Sequence, residues 1–334
     1  MVSSDSVLLE LVSYNSRGFN ASKQQYLRQL LCKCDILFLQ EHWLSETQTH
    51  DLCFFCDTHL ACGVSGFSSD EVLSGRPYGG CAIFWRSSLS LTPVKIVTPS
   101  QRVCALLLEG CGVKLLCICV YLPHEKGSDN VDEFVYQLSI IENVISQFSD
   151  CHIIVGGDFN ADFSRPSCHT SFLENFCLQS NLYPICKHSC CSIHYTFNFN
   201  MSSFSHIDHF LMSHDLYHNG VSNAFVMHEV DNCSDHDPVV LSLDIHITRL
   251  NYAKRQFNSR PSWANTPVTP NGDFTATFGD FKFGLVAGDR CVVAFNCRLA
   301  VTPEHRSQQI AADRSQSPDC AETVQRVHCD CTAT

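Results

Sequence analysis

Over the first three-quarters of the chain, short stretches of apolar residues alternate with longer stretches whose apolar positions follow the helical period. Val7–Tyr14 reads as a strand that stops at Asn15. From about Ala21 onward, Tyr26, Leu27, Leu30, Leu31 and Cys34 fall on one helical face. Ile36–Leu39 is a short buried strand running straight into Gln40-Glu41. Cys81–Trp85, Val103–Leu108 and Val113–Tyr121 read as successive strands, with Gly110 and Gly112 marking a turn between the last two. Val131–Phe148 has helical spacing through Phe134, Leu138, Ile141, Val144, Ile145 and Phe148. Cys151–Val155 is another buried strand, broken by Gly156-Gly157 ahead of Asp158, and His206–Met212 and Pro238–Ile245 complete the pattern. Strands interleaved with helices predict an α/β fold.

Polar residues capable of chemistry collect where these strands stop: Asn15, Glu41, Tyr121, and the pair Asp158 and Asn160. Strand ends on one edge of a sheet converge on one rim, where α/β folds build sites. Asp208 within His206–Met212, and Asp235-His236 just before the last strand, join the list of candidates. After about Leu250 the pattern lapses into scattered Pro and Gly and a Ser/Gln/Arg-rich segment near 305–318. The expected organisation is one domain over residues 1–248. A linker or poorly ordered tail is expected over 249–334, with at most a small β element within Phe274–Val301.

Composition narrows the function classes. The chain has 334 residues and is 45% hydrophobic, enough for a substantial core and too apolar for a disordered chain. The longest apolar run, Leu115 to Leu122, is far short of the roughly 20 residues of a membrane span, and no basic leader precedes Asp5 and Glu10. An intracellular protein, in nucleus or cytoplasm, is therefore expected, with the Asn20, Asn200 and Asn232 sequons left unglycosylated. Residues 1–247 carry 12 Lys/Arg against 26 Asp/Glu, a balance of −14. So acidic a body does not grip a polyanion by bulk electrostatics, and a phosphate substrate requires a metal ion or a few well-placed donors. Most of the 22 cysteines read as reduced, small buried hydrophobes. Cys53, Cys56, His59 and Cys62 recur every three residues and are expected to form one helical face, since zinc modules use other spacings. Cys186, His188, Cys190, Cys191 and His194 fall in an expected loop.

The Gly156-Gly157-Asp158-Phe159-Asn160 run allows tight backbone turns, and its i, i+2 spacing directs a carboxylate and an amide to one side. Taken alone it also fits an Asx-rich turn. Ser234-Asp235-His236 likewise fits either a hydrogen-bonded turn or an imidazole that Asp208 keeps protonated to meet an anionic phosphate. Carboxylate oxygens from Glu41 and Asp235 suit Mg²⁺ or Mn²⁺ and argue against zinc.

Six motifs then stand in a telling order: Ser13-Tyr14-Asn15-Ser16-Arg17-Gly18, Leu39-Gln40-Glu41, Val120-Tyr121-Leu122-Pro123, Gly157-Asp158-Phe159-Asn160, His206-Ile207-Asp208-His209 and Ser234-Asp235-His236. In this order they resemble the endonuclease/exonuclease/phosphatase superfamily, and most of all the apurinic-type endonuclease domain of LINE-type non-LTR retrotransposons. Thr196-Phe197, upstream of Asp208, is similar to a Thr-aromatic element of those domains. The resemblance covers roughly residues 7–246. It implies a deoxyribonuclease I-like four-layer α/β sandwich, two mixed sheets face to face with helices outside. It further implies Mg²⁺-dependent (or Mn²⁺-dependent) hydrolysis of DNA phosphodiesters.

Carried over residue by residue, the resemblance makes Glu41 the principal metal ligand, with Asn15 beside it and Asp235 assisting. Asp158 handles the attacking water and Asn160 holds Asp158 and a phosphate oxygen. Tyr121 contacts the phosphate and His236, paired with Asp208, stabilises its charge. Arg17 and Thr196 are expected at the substrate; many relatives carry Asp or Asn where Arg17 stands. Target preference is expected from rim loops and hairpins within Phe163–Tyr195. The implied reaction is target nicking that leaves a 3′-hydroxyl, with a reverse transcriptase domain or protein as an expected partner and no such motif following in the chain. An abasic-site repair endonuclease and a catalytically silent relict are the alternatives. A phosphatase for multiply phosphorylated substrates is disfavoured by the lack of a basic cluster.

Overall fold

The computed structural model describes residues 7–68, 75–110, 112–125, 129–200, 202–245 and 247, together with the backbone of three strands farther on. Two six-stranded mixed sheets hold the first compact unit, Met1–Ala253. Across the first sheet lie β3 (His59–Val64), β4 (Cys81–Arg86), β2 (Ile36–Gln40), β1 (Val7–Asn15), β14 (Val239–Ile245) and β13 (Val221–Val226). Across the second lie β5 (Thr92–Ile96), β6 (Val103–Gly110), β7 (Val113–Tyr121), β8 (His152–Asp158), β12 (Asp208–Ser213) and β9 (Leu182–Pro184). A separate hairpin pairs β10 (Phe197–Phe199) with β11 (Ser203–Ser205).

The alternation along each strand explains the layering. In β1, Leu9 and Leu11 point into the space between the sheets, where they join Phe38 and Ile83 of their own sheet. Leu106, Cys117, Ile154, Phe210 and Met212 meet them from the other sheet. Val12 and Tyr14, one residue out of phase, face outward onto Tyr26, Leu27, Leu30 and Leu31 of α1 (Ala21–Lys33). The outer face of the second sheet is covered by α2 (Asp129–Ser146) and α3 (Cys168–Gln179), with Leu116, Ile118 and Val120 against Phe134, Ile141, Leu173 and Phe176. Helix, sheet, sheet, helix is the four-layer sandwich expected of the sequence.

Several sequence expectations fail locally. Within 163–195 the structure places α3, with Ser167 capping its N-terminus by accepting from the Thr170 N–H. Its buried face includes His169 and Thr170, and these polar residues blur the helical period. The rim hairpin lies later, at β10–β11. Cys53, Cys56, His59 and Cys62 do not share a helical face: a short 3₁₀ turn holds Cys53, whereas His59 and Cys62 sit in β3. There the His59 ring contacts the Cys34 carbonyl, a packing role rather than a ligand role. The second compact unit, Lys254–Thr334, contains an antiparallel sheet of β15 (Phe274–Phe278), β16 (Phe281–Val286) and β17 (Arg290–Val293). The remainder of the expected linker or tail lies outside the described residues. Among the described residues, no helix is long and apolar enough to cross a membrane.

Gly157 is the tightest backbone approach in the second sheet. A Cβ there would stand 2.0 Å from the Val120 carbonyl oxygen, on the neighbouring strand that runs parallel to it. Gly157→Ala is expected to destabilise the fold by about 3 kcal/mol, read as a lowered urea midpoint with unchanged slope. A midpoint equal to wild type would show that β7 and β8 can part without cost.

Candidate active site

Register brings the candidate residues to one rim. β1 and β2 run parallel with Asn15 beside Gln40, so Asn15 and Glu41 leave adjacent strands together. β7 and β8 run parallel with Tyr121 beside Asp158. β12 is antiparallel to β8, and its first residue, Asp208, therefore pairs with the last of β8, Asp158. β14 is antiparallel to β1, which returns His236 to the same edge, where it bridges to Phe197 of the hairpin.

The two sheets end in the same local device. The Asn15 side-chain oxygen accepts from the Arg17 N–H at 3.1 Å, and the Asp158 Oδ1 accepts from the Asn160 N–H at 3.0 Å. In both Asx turns the third residue is left-handed, with φ 47° at Arg17 and 49° at Asn160. Glu41 (φ 52°) and Trp43 (φ 57°) are left-handed as well. Such conformations cost on the order of 1 kcal/mol each in a non-glycine residue and persist only where the surroundings fix them. Here the Glu41 and Trp43 N–H groups are held by the Gly80 and Gly79 carbonyls at 2.8 and 3.0 Å, and the Glu41 carbonyl accepts from Gly18.

Asn15 is the hinge of the polar network. Its Nδ2 donates to Glu41 Oε1 and to Asp158 Oδ2, each at 3.0 Å, so one amide spans carboxylates from the two sheets. Glu41 Oε2 accepts from the Trp43 indole at 3.0 Å. Burial, followed by the charges of Glu41 and Asp158, raises the Tyr121 phenol well above its ordinary value and keeps it a neutral donor. On the other side, His236 Nδ1 meets Asp208 Oδ2 at 2.9 Å, and its Nε2 stands 3.9 Å from Asp158 Oδ2. Asp208 is itself fixed by the Thr196 hydroxyl at 2.6 Å.

The electrostatics follow from burial and from these pairings. Asp158 is buried, which raises its carboxyl; Asp208 raises it further, while His236 draws it partly back, to about 7. Burial alone would push His236 down, but the Asp208 carboxylate, helped by Asp158 and Asp235, lifts the ring to about 9. A histidine raised in the folded state adds stability that is complete below its ordinary 6.5 and is lost as pH climbs through about 9. Metal-free protein should accordingly lose on the order of 3 kcal/mol of urea-unfolding stability across that window. Asp208→Asn should flatten most of the slope, and an unchanged slope would deny the pairing its role.

Three expected contacts differ in detail. Thr196 is fully buried and bonded to Asp208, so it positions that carboxylate and cannot touch substrate. It is the Asn160 backbone that holds Asp158, because the Asn160 amide donates to the Leu122 carbonyl at 2.9 Å. Arg17 and Asp235, expected respectively at substrate and metal, form an ion pair with each other. Sequence reasoning missed Trp43 and Gly79-Gly80, which fix Glu41. A Gly-Gly pair beside an apolar strand, as at Gly156-Gly157, was the available signal.

The donor set suits a hard divalent ion. Asp158 and Asp208 present carboxylate oxygens within 4.8 Å of each other beside His236, whose charged ring offers no lone pair, and Glu41 lies one shared amide from Asp158. The oxygens are carboxylate, and no described thiol enters the group. Asn15, expected as a ligand beside Glu41, turns its Nδ2 and not its oxygen to that carboxylate, so it orients Glu41 instead of ligating.

The sequence profile of the endonuclease/exonuclease/phosphatase family matches residues 12–236, which span every residue of this rim. The chain belongs to that family. Family members are hydrolases of the nuclease and phosphatase type and are generally divalent-metal dependent. Solved family structures share the fold at low identity. The endonuclease domain of TRAS1, a telomere-specific non-LTR retrotransposon, is 14% identical, with a TM-score of 0.53 over 72% of this chain and 100% of that one. The AP endonuclease LMAP from Leishmania major is 14% identical, with a TM-score of 0.56 over 71% and 88%. The Xenopus laevis APE2 catalytic domain is 18% identical, with a TM-score of 0.56 over 73% and 94%. No curated protein sequence matches the chain.

Proposed function

We propose that this chain is a divalent-metal-dependent endonuclease that hydrolyses DNA phosphodiester bonds by retrotransposon-type nicking and leaves a 3′-hydroxyl. The observation that carries the reading is the buried Asp158–Asp208–His236 group standing one amide away from Glu41. A water-handling carboxylate, a charged imidazole and an oxygen-rich ligand set are what in-line phosphodiester hydrolysis requires. The similarity to the TRAS1 endonuclease domain and to AP endonucleases supports DNA as the substrate class.

Glu41, its carboxylate oriented by the Asn15 amide, would hold Mg²⁺ or Mn²⁺, which when bound supplies Lewis-acid polarisation of the phosphate. Asp158, lifted to about 7, accepts a proton from the attacking water near neutral pH. The Asn160 N–H and the Asn15 amide fix the two oxygens of Asp158 and so aim it. His236, positively charged through its pairing with Asp208, stabilises the negative charge that builds on the phosphoryl oxygens. Tyr121, kept a neutral hydroxyl by burial and by the charges of Glu41 and Asp158, would contact the phosphate.

The substrate test compares an intact duplex with the same oligonucleotide carrying one abasic site, in Mg²⁺, followed by polymerase extension of the product. Cleavage of intact duplex to extendable 3′ ends is expected. Strong selectivity for the abasic strand would move the reading to repair, and ends that resist extension would overturn the product assignment.

A further inference from the structure

Arg17 and Asp235 lie on the two loops that flank Asn15. The Arg17 N–H is bonded to the Asn15 side-chain oxygen, and the Ser234 hydroxyl, next to Asp235, donates to the Asn15 carbonyl at 2.8 Å. The guanidinium closes on one Asp235 oxygen, and the other oxygen, Oδ1, is buried without a hydrogen-bond partner. Both residues also line a cavity of about 520 Å³, along with Lys23, Asn198 and Asp237. Solvent ions therefore have a path to the Asp235 carboxylate, and Arg17 is the charge seated on it.

We propose that Arg17 is a built-in counter-cation that withdraws Asp235 from the metal, leaving a one-ion site at Glu41. This rests on the metal reading of Glu41 given above. With its charge neutralised by the guanidinium, Asp235 adds no net field at the ion and supplies no ligand.

The test is Mn²⁺ binding to the full chain, followed by electron paramagnetic resonance of the free ion, with four proteins compared. Wild type is expected to bind one ion. Arg17→Met frees the carboxylate and should tighten binding about tenfold or admit a second ion. Asp235→Asn leaves an uncompensated guanidinium and should weaken binding several-fold, by roughly the repulsion of one nearby charge. Arg17→Met/Asp235→Asn removes both charges and should return to within about threefold of wild type, as a closed cycle requires. A double variant weaker than wild type by more than about threefold would make Asp235 a ligand and overturn the proposal. Two ions on wild type would overturn it equally. No Mn²⁺ on folded wild type would instead remove the metal reading and this inference with it. Arg17→Gln/Asp235→Asn, an amide pair that keeps a hydrogen bond, stands in should the Met variant fail to fold.

Discussion

Asp158→Asn is expected to lower the rate of plasmid nicking by about 10³-fold while the chain stays folded. The substitution keeps the shape and the acceptor for the Asn160 N–H, but it removes the base whose proton affinity burial and Asp208 have raised toward neutrality. It also sets an amide nitrogen or oxygen against the Asn15 amide, so part of the loss is positional. His236→Ala should cost a similar factor by removing the positive charge that faces the phosphate. Because the two residues act on one transition state, the double variant should be little worse than either single one. Rates that multiply would mean that the residues serve separate steps. Far-UV circular dichroism and urea midpoints separate these losses from unfolding.

The second large effect concerns the ion. Mg²⁺ at about 100 times its dissociation constant should stabilise wild type by about 2.7 kcal/mol, a rise in Tm of roughly 5–10 °C for a unit of this size. Glu41→Gln should abolish that rise. It leaves the oxygen that receives the Asn15 amide but loses the charge, and it presents an amide to the Trp43 indole N–H. The metal-free variant should therefore melt close to wild type, at most about 1 kcal/mol below it. Differential scanning calorimetry with and without Mg²⁺ reads both quantities. A full Mg²⁺ shift in Glu41→Gln would place the ion elsewhere on the rim.

Much of this arrangement was legible in the sequence because parallel neighbours force it. A buried strand such as Ile36–Gln40, with no exposed residue, has only its end to offer to chemistry. Once β1 and β2, or β7 and β8, are paired in register, Asn15 must stand near Glu41 and Tyr121 near Asp158. The Asp208–His236 pairing was also readable, since antiparallel strands return their first residues to the rim where parallel ones end. Hydrogen-bond directions were not readable. Thr196 turns inward onto Asp208 and the Asn160 amide turns to Leu122, choices made by main-chain geometry that residue type does not disclose. The cysteine set at 53–62 misled because a period of three matches a helix only if the chain stays helical, and here it enters β3 after a turn.

The charge balance takes on a different meaning beside the geometry. Four carboxylates of the acidic body, Glu41, Asp158, Asp208 and Asp235, are gathered at the rim, and one of them is already answered by Arg17. The acidity is partly the site itself. With only 12 basic residues in 1–247, the proposed binding to DNA is expected to be weak and salt-sensitive.

The central claim is that this rim hydrolyses DNA with a bound divalent ion. Incubation of supercoiled plasmid with the purified chain tests it most directly. The expected result is conversion to open circles by wild type in Mg²⁺ or Mn²⁺, suppression by EDTA, and background levels from Asp158→Asn and His236→Ala. Folded wild type that leaves the plasmid supercoiled in both metals, or variants that nick as fast as wild type, would contradict it.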